Sequence, residues 1–455
     1  MKFMLDFSKI NKKNWLYEIL FRYLQFVHNF VYYRQYRVKG KENFPKNEGF
    51  LIIGNHQNSL NDALGILFID PKYHPIYIAR ADIFKKPLLG KLMRFIRIMP
   101  AFRQRDGKEE LDKNNIVFNE AMRIMSEGDC VAIFPEATHM DGRYLGQFKK
   151  GFARIAFGAA EQSDFKINLK IVPVTNNYSD YFRFQTKLLI TVGKPFEFSE
   201  LYDLYKENPE KARYQLTQKA RAAVEELMVN LDDVPNYPQL ETICTAYRDK
   251  YITDHKLKLR QIESEAEADI AAANVLRSLR DNNPEQYNTL VDKAREYGSL
   301  LKELKLRDWI FGFKPSFFCF LLKAVLWVVL IPLWIVCAFL NFVPYYSGFL
   351  ITNKVKDKLM GPSIHFGLGM LVTMPLWNLI VSVTAGIVSH SWLVAIASLV
   401  LLPFTMIVYS RSKGSLKKLI NRIRRSNFVT KKDRRYMRAA ELRTQIIAEM
   451  DALFN

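Results

Sequence analysis

The chain has 455 residues, enough for two or three domains, and carries 66 Lys and Arg against 46 Asp and Glu, a formal net charge of +20. A balance this basic points to nucleic acid or an anionic membrane surface, and the apolar stretches of the C-terminal third favour the membrane. The four cysteines (Cys130, Cys244, Cys319 and Cys337) are scattered without a CxxC pair, so no zinc site or disulfide framework is readable and a reducing compartment is the default.

Met1 to Asn14 is polar and lysine-bearing, unlike a signal peptide. Within residues 1–35, Trp15, Tyr17, Phe21, Tyr23, Phe26, Phe30, Tyr32 and Tyr33 alternate with Glu18, Arg22, Gln25 and His28. That pattern predicts an amphipathic helix, lying in a membrane interface or packed on the domain that follows. Residues 36–200 alternate strand-like runs (50–54, 75–79, 97–102, 129–134, 168–174 and 186–192) with helix-like runs (60–69, 86–95, 108–126 and 149–162). The alternation predicts an α/β layered domain with a largely parallel sheet. Residues 201–310 are rich in Lys, Glu, Arg and Ala and read as a helical arm, with charged helices at 261–279 and 284–305.

Residues 311–410 form the membrane region. The runs 366–387 and 392–409 are each long enough to span a bilayer, and the short polar break Ser389-His390-Ser391 makes them a transmembrane hairpin. Lys354, Lys356 and Lys358 precede it and Arg411, Lys413, Lys417 and Lys418 follow, which puts both flanks, and with them the catalytic domain and C-terminus, on the cytoplasmic side. The membrane is a bacterial cytoplasmic membrane or an endoplasmic reticulum. The apolar run 317–343, interrupted by Lys323 and Pro332, is then expected to enter and leave on one side as a re-entrant pair broken near Pro332. Three full crossings are the alternative, with the lysines at 354–358 on the opposite side. Residues 411–455 read as a basic tail, suited to anionic lipid headgroups; charge alone suggests nucleic acid there.

Four segments carry the candidate chemistry. Gly54-Asn55-His56-Gln57-Asn58-Ser59-Leu60-Asn61-Asp62 follows the buried-looking run Phe50-Leu51-Ile52-Ile53. Met99-Pro100-Ala101-Phe102-Arg103-Gln104-Arg105, Ile133-Phe134-Pro135-Glu136-Ala137-Thr138 and Ile171-Val172-Pro173-Val174 each sit at or after a strand-like run. Open α/β sheets place their chemistry at the carboxyl ends of strands. In this order the four resemble the blocks of the glycerophospholipid acyltransferase family, over roughly residues 35–200. The resemblance implies transfer of a fatty acyl group from acyl-CoA or acyl carrier protein to a glycerol phosphate or lysophospholipid.

Acyl transfer to an alcohol needs the hydroxyl deprotonated as it attacks and the oxyanion stabilised. A histidine–carboxylate dyad suffices when the acceptor supplies the hydroxyl. His56 would be the general base and Asp62 would hold its tautomer. The family pattern has four residues between the two; here Asn61 stands at that place and Asp62 one residue later. Neither spacing puts both groups on one helical face, because each step turns ~100°. The histidine is therefore expected in a loop and the aspartate on the first turn of the next helix. The longer spacing resembles the fungal glycerol-3-phosphate and dihydroxyacetone-phosphate acyltransferases.

The resemblance also makes Arg103 or Arg105 a binder of the acceptor's phosphate, the alternative being a solvated basic edge. Glu136 would accept a hydrogen bond from an acceptor hydroxyl, or else pair with a nearby Arg or Lys. The family usually has glycine after this glutamate; Ala137 cannot readily use φ > 0, so the loop is expected to differ in detail. Lys149 and Lys150 open the helix 151–162 and are either phosphate contacts or an exposed helix start. Pro135 and Pro173 shape the pocket, and His139 has no assigned role. No metal-ligand spacing or nucleotide loop is seen, so no cofactor is implied; CoA or acyl carrier protein enters as part of a substrate.

The reading is thus a membrane O-acyltransferase of phosphatidic acid biosynthesis acting on glycerol 3-phosphate or dihydroxyacetone phosphate. The alternatives are a lysophosphatidate acceptor, giving phosphatidate, and a non-catalytic lipid-binding scaffold.

Overall fold

A computed structural model describes every residue except 1–5, 13, 103–107, 167–168, 313–316, 353, 356–357 and 455. Arg103, Arg105 and Lys356 lie outside the described residues. Seven strands form one sheet: β1 (Gln35–Lys39), β2 (Phe50–Gly54), β3 (Ile76–Arg80), β4 (Ile98–Ala101), β5 (Cys130–Ile133), β6 (Lys170–Tyr178) and β7 (Lys187–Val192). Their order is β1-β7-β6-β2-β5-β3-β4, parallel throughout except where β6 meets β7.

β2 is central and buried along its whole length, as a continuous apolar run in a parallel sheet requires. Its side chains alternate between two cores. Leu51 and Ile53 meet the helices Asn114–Ser126, Gly151–Gln162 and Pro209–Glu225 on one face. Phe50 and Ile52 meet the N-terminal helix and the helix Ser59–Leu67 on the other. β1 has no apolar run to announce it, since Arg37 and Lys39 point outward from an edge strand.

The N-terminal helix Trp15–Phe26 packs on the domain and leaves apolar side chains exposed. Tyr17 and Phe21 are buried against the domain, while Trp15, Leu16, Ile19 and the nearby Phe30 are exposed. The Phe26 ring lies 6.0 Å from Phe404 of the last apolar helix.

The domain limits shift in two places. The helices Tyr202–Glu207 and Pro209–Glu225 belong to the acyltransferase core, not to the arm, because Tyr205, Ala212, Leu216, Ala220 and Val224 are buried in it. The arm itself consists of Tyr237–Asp254, Ile262–Asn282 and Pro284–Glu303. The C-terminal segment is not a free tail: the helix Arg434–Phe454 buries Tyr436, Ala439, Leu442, Ile446 and Met450 in the arm's core. Its apolar residues recur every three or four positions, a helical stripe that needs a partner.

Three helices among the described residues are long and apolar enough to cross a membrane. The first runs unbroken from Phe317 to Leu340 through Pro332, so the expected break at that proline is absent. The chain turns instead after Leu340, into the helix Phe342–Thr352. At 24 residues the first helix is about 36 Å long, enough for a full crossing. The second helical run is Gly361–Val388, and the third, Trp392–Thr430, extends well beyond its apolar part into the basic segment. The turn between them closes with Ser391 N–H on Gly386 C=O (3.0 Å) and His390 in the left-handed region (φ 50°).

Candidate active site

The register of β2 and β5 assembles the site. Ile53 pairs with Ile133, and His56 and Glu136 each lie three residues beyond that pair, at the carboxyl edge of adjacent parallel strands. The main-chain N–H of His56 donates to Glu136 Oε1 (3.1 Å). The imidazole stacks on Phe134 with centroids 4.3 Å apart and planes 9° from parallel, and the His139 ring lies 4.3 Å away on another side.

His56 Nδ1 is 2.9 Å from Asp62 Oδ2. The same oxygen accepts the N–H groups of Gln57 (2.8 Å) and Asn58 (2.6 Å), and Oδ1 accepts the Tyr178 hydroxyl (2.7 Å). An ionised carboxylate only accepts, so four donors suit it and fix the Nδ1–H tautomer, leaving Nε2 as the acceptor. Asp62 is fully buried while the His56 side chain keeps 17% of its exposure, so the imidazole is reachable from outside and the carboxylate is not.

Asp62 sits on the first turn of Ser59–Leu67, as the spacing requires. Asn61, at the family's usual aspartate position, turns its amide to Asn58 Oδ1 (3.2 Å). The additional residue is taken up by a tight entry, with Ser59 at φ 40°, a conformation that costs an L-residue about 1 kcal/mol.

Glu136 differs from expectation. It is 1% exposed, forms no ion pair among the described residues, and spends Oε1 on the His56 backbone. Through that bond it holds the histidine loop, while its Oε2 has no hydrogen-bond partner among the described residues. Burial lifts its carboxyl to about 8, against the pull of the His56 N–H and with a further push from Asp62.

Ala137 corrects the expected loop change: it takes φ 57°, the left-handed conformation that favours glycine. Replacing Ala137 with Gly is therefore expected to stabilise the protein by ~0.5–1 kcal/mol. The midpoint of chemical denaturation in detergent measures this, and a lower midpoint for the variant would contradict the strained turn.

Pro135 lies in the same loop, and its carbonyl accepts the Lys149 N–H (2.8 Å). The Lys149 side chain is exposed, and Lys150 pairs with Glu210 (2.9 Å). Pro173 is within the sheet opposite Ile53, where its carbonyl accepts Gly193 N–H (2.8 Å).

Several residues that hold the site had no assigned role. Tyr178 is at the end of β6, which continues past the predicted limit of 174. Burial and the adjacent Asp62 hold its phenol well above the usual value, so it remains a donor. Asn55 grips the β6 backbone at Asn176 with both amide atoms (2.8 and 3.1 Å). Gln57 donates to Gly142 C=O (2.9 Å) and accepts from the Tyr181 hydroxyl (2.8 Å). The apolar region reaches the site too: Ser363 Oγ donates to Asn58 C=O (2.9 Å) and accepts Leu60 N–H (3.0 Å). The helix that starts at Gly361 is thereby bonded to the loop carrying the dyad.

The profile of the family described as Acyltransferase matches residues 35–176. Over 147 residues the chain is 27% identical to glycerol-3-phosphate O-acyltransferase 1 of Saccharomyces cerevisiae, covering 31% of this chain and 19% of that protein. It is 26% identical over 154 residues to 1-acyl-sn-glycerol-3-phosphate acyltransferase alpha of Ovis aries, covering 34% of this chain and 49% of that protein. A third relative is the 1-acyl-sn-glycerol-3-phosphate acyltransferase of Borreliella burgdorferi, 25% identical over 30% of this chain and 49% of that one. The matched stretch thus spans half or less of each relative. The crystal structure of the 1-acyl-sn-glycerophosphate acyltransferase of Thermotoga maritima aligns with 49% of this chain and 86% of that one, at 19% identity and a TM-score of 0.32. Residues 35–176, which include His56, Asp62 and Glu136, thus match the Acyltransferase family, and the relatives similar to this stretch are glycerolipid acyltransferases.

Proposed function

We propose that the protein is a membrane-bound O-acyltransferase that moves a fatty acyl group from a thioester, acyl-CoA or acyl carrier protein, to a hydroxyl of a glycerol phosphate. The observation that carries this reading is the His56–Asp62 pair, with Nδ1 committed at 2.9 Å and Nε2 left to accept. His56 Nε2 takes the proton of the acceptor hydroxyl as its oxygen attacks the thioester carbonyl. Asp62 stabilises the imidazolium that forms. The tetrahedral intermediate collapses with cleavage of the C–S bond, and the imidazolium returns its proton to the departing thiolate. The products are the new ester and a free thiol, and no serine intermediate is needed.

Glycerol 3-phosphate or dihydroxyacetone phosphate is the proposed acceptor, supported by the long histidine–aspartate spacing and the likeness to the yeast protein. The second reading, lysophosphatidate, is supported by the likeness to the sheep and Borreliella proteins. The bond between Ser363 and the dyad loop supports an active site held against the membrane, and the basic residues after the last apolar run (Arg411, Lys413, Lys417 and Lys418) support a cytoplasmic side for the acyltransferase domain. An acceptor competition separates the readings. Purified protein is given labelled acyl-CoA and equal concentrations of glycerol 3-phosphate and lysophosphatidate; the expected result is a kcat/KM at least tenfold higher for the first. A reversed ratio would make phosphatidate the product.

A further inference from the structure

The basic half of the last long helix does not end in solvent; it lies along the open edge of the sheet. Arg411 donates to Gln185 Oε1 (3.0 Å) and Arg424 to Lys305 C=O (3.1 Å), which anchors the helix at both ends of this stretch. Arg411, Lys418 and Arg422 fall on one helical face, because steps of seven and four residues return to nearly the same angle. The charges that act on Lys418 of this face include Arg34, just before β1, Lys187 at the start of β7, and Arg260, just before the arm helix Ile262–Asn282; the Arg34 N–H is bonded to Thr186 C=O (2.7 Å), next to the Gln185 that Arg411 holds. Lys187 ties two of these elements together by donating to Arg260 C=O (2.8 Å), beside its register partner Gln35.

The charges here are poorly balanced. The first two carboxylates of the arm helix are already taken, Glu265 by Lys187 and Glu263 by Arg37. No carboxylate among the described residues pairs with Arg34, Arg260 or Lys418. The nearby cations Arg34, Arg260, Arg422 and Lys187, after partial burial, push the Lys418 ammonium below its usual value. Arg34, Arg260 and Lys418 thus gather like charge with no carboxylate paired to them, which costs stability unless an anion sits among them.

The position selects the anion. The apolar part of this helix ends at Tyr409, two residues before Arg411. The N-terminal segment approaches the same depth, since Phe26 touches Phe404 and Phe30 is exposed four residues before Arg34. The cluster therefore starts where lipid headgroups would lie and continues about 15 Å along the helix.

We propose that Arg34, Arg260 and Lys418, flanked by Lys187 and Arg422, form a site for the phosphate group of an anionic membrane lipid, separate from the active site. Bound there, the phosphate holds the long helix, the sheet edge and the arm together.

The test uses the full-length protein in a neutral detergent at low salt and reads thermal stability. Dioctanoyl phosphatidylglycerol is titrated against dioctanoyl phosphatidylcholine, inorganic phosphate and a single-stranded RNA oligomer. The expected result is a saturable rise in Tm with phosphatidylglycerol alone. An R34Q/R260Q/K418Q triple variant should need at least five times more lipid for half the effect, and His56→Ala should titrate like the wild type. Correct folding of the triple variant is checked by its acyl transfer in neutral detergent, expected unchanged. If the variant is inactive, R260Q alone is used, with a twofold or greater loss expected. An unchanged midpoint in the variant, or an equal response to inorganic phosphate, phosphatidylcholine or RNA, would overturn the proposal. Loss of the lipid response in His56→Ala would place the lipid in the active site instead.

Discussion

Replacing Asp62 with Asn is expected to lower kcat for acyl transfer by about 10³–10⁴-fold with little loss of stability. The amide keeps an oxygen for the Gln57 and Asn58 N–H groups, which now lie 2.8 and 2.6 Å from Oδ2, and its NH₂ can face the Tyr178 oxygen. The loop therefore stays in place. What is lost is the negative charge beside the imidazolium, and a factor of 10³–10⁴ corresponds to about 4–5.5 kcal/mol of barrier. Asp62→Ala should in addition unfold more easily, because two buried main-chain donors lose their acceptor, at about 1–3 kcal/mol each. Steady-state kinetics with matched denaturation curves check this. Near-normal kcat in Asp62→Asn would remove the aspartate from the mechanism.

Glu136 gives the second large effect, and it is read in pH. Burial raises its carboxyl from 4.5 to about 8, so the native state holds a proton that the unfolded chain releases. Its favourable contribution is complete below pH 4.5 and is lost as pH rises towards 8. Glu136→Gln retains an oxygen for the His56 N–H and has no proton to lose. The variant should therefore be more stable than wild type above pH 8 by a few kcal/mol, with a flatter stability profile between pH 5 and 8. Its transfer rate at neutral pH should stay within about tenfold of wild type, while Glu136→Ala, which frees the His56 N–H, should lose at least 10²-fold. Parallel stability–pH curves for wild type and Glu136→Gln would contradict the buried neutral acid.

The sequence made some parts of this arrangement readable and left others hidden. β2 was legible because four consecutive apolar residues need cover on both faces. The positions of His56 and Asp62 followed from helical geometry, since their spacing excludes a common face. The role of Glu136 was not legible: its partner is a backbone N–H on the neighbouring strand, and only the β2–β5 register shows that. Tyr178 was missed because β6 ends in the polar residues Asn176 and Asn177, which look like a loop. They are buried there by contacts from Asn55 and from the segment around Leu227. Ser363 gave no signal, being separated from Asn58 by 305 residues. The last helix looked like a tail because its basic residues outweigh an apolar stripe that only the arm reveals as a packing face.

The most direct test of the central claim is single-turnover acyl transfer by purified protein. Labelled acyl-CoA is supplied with saturating glycerol 3-phosphate in one arm and lysophosphatidate in the other, and wild type is compared with His56→Ala. The dyad mechanism predicts ester formation by wild type with at least one acceptor and a loss of 10³-fold or more in the variant. Equal transfer by the two proteins would contradict it, and no transfer by a folded wild type with either acceptor, or with acyl carrier protein as donor, would leave the fold as a lipid-binding scaffold.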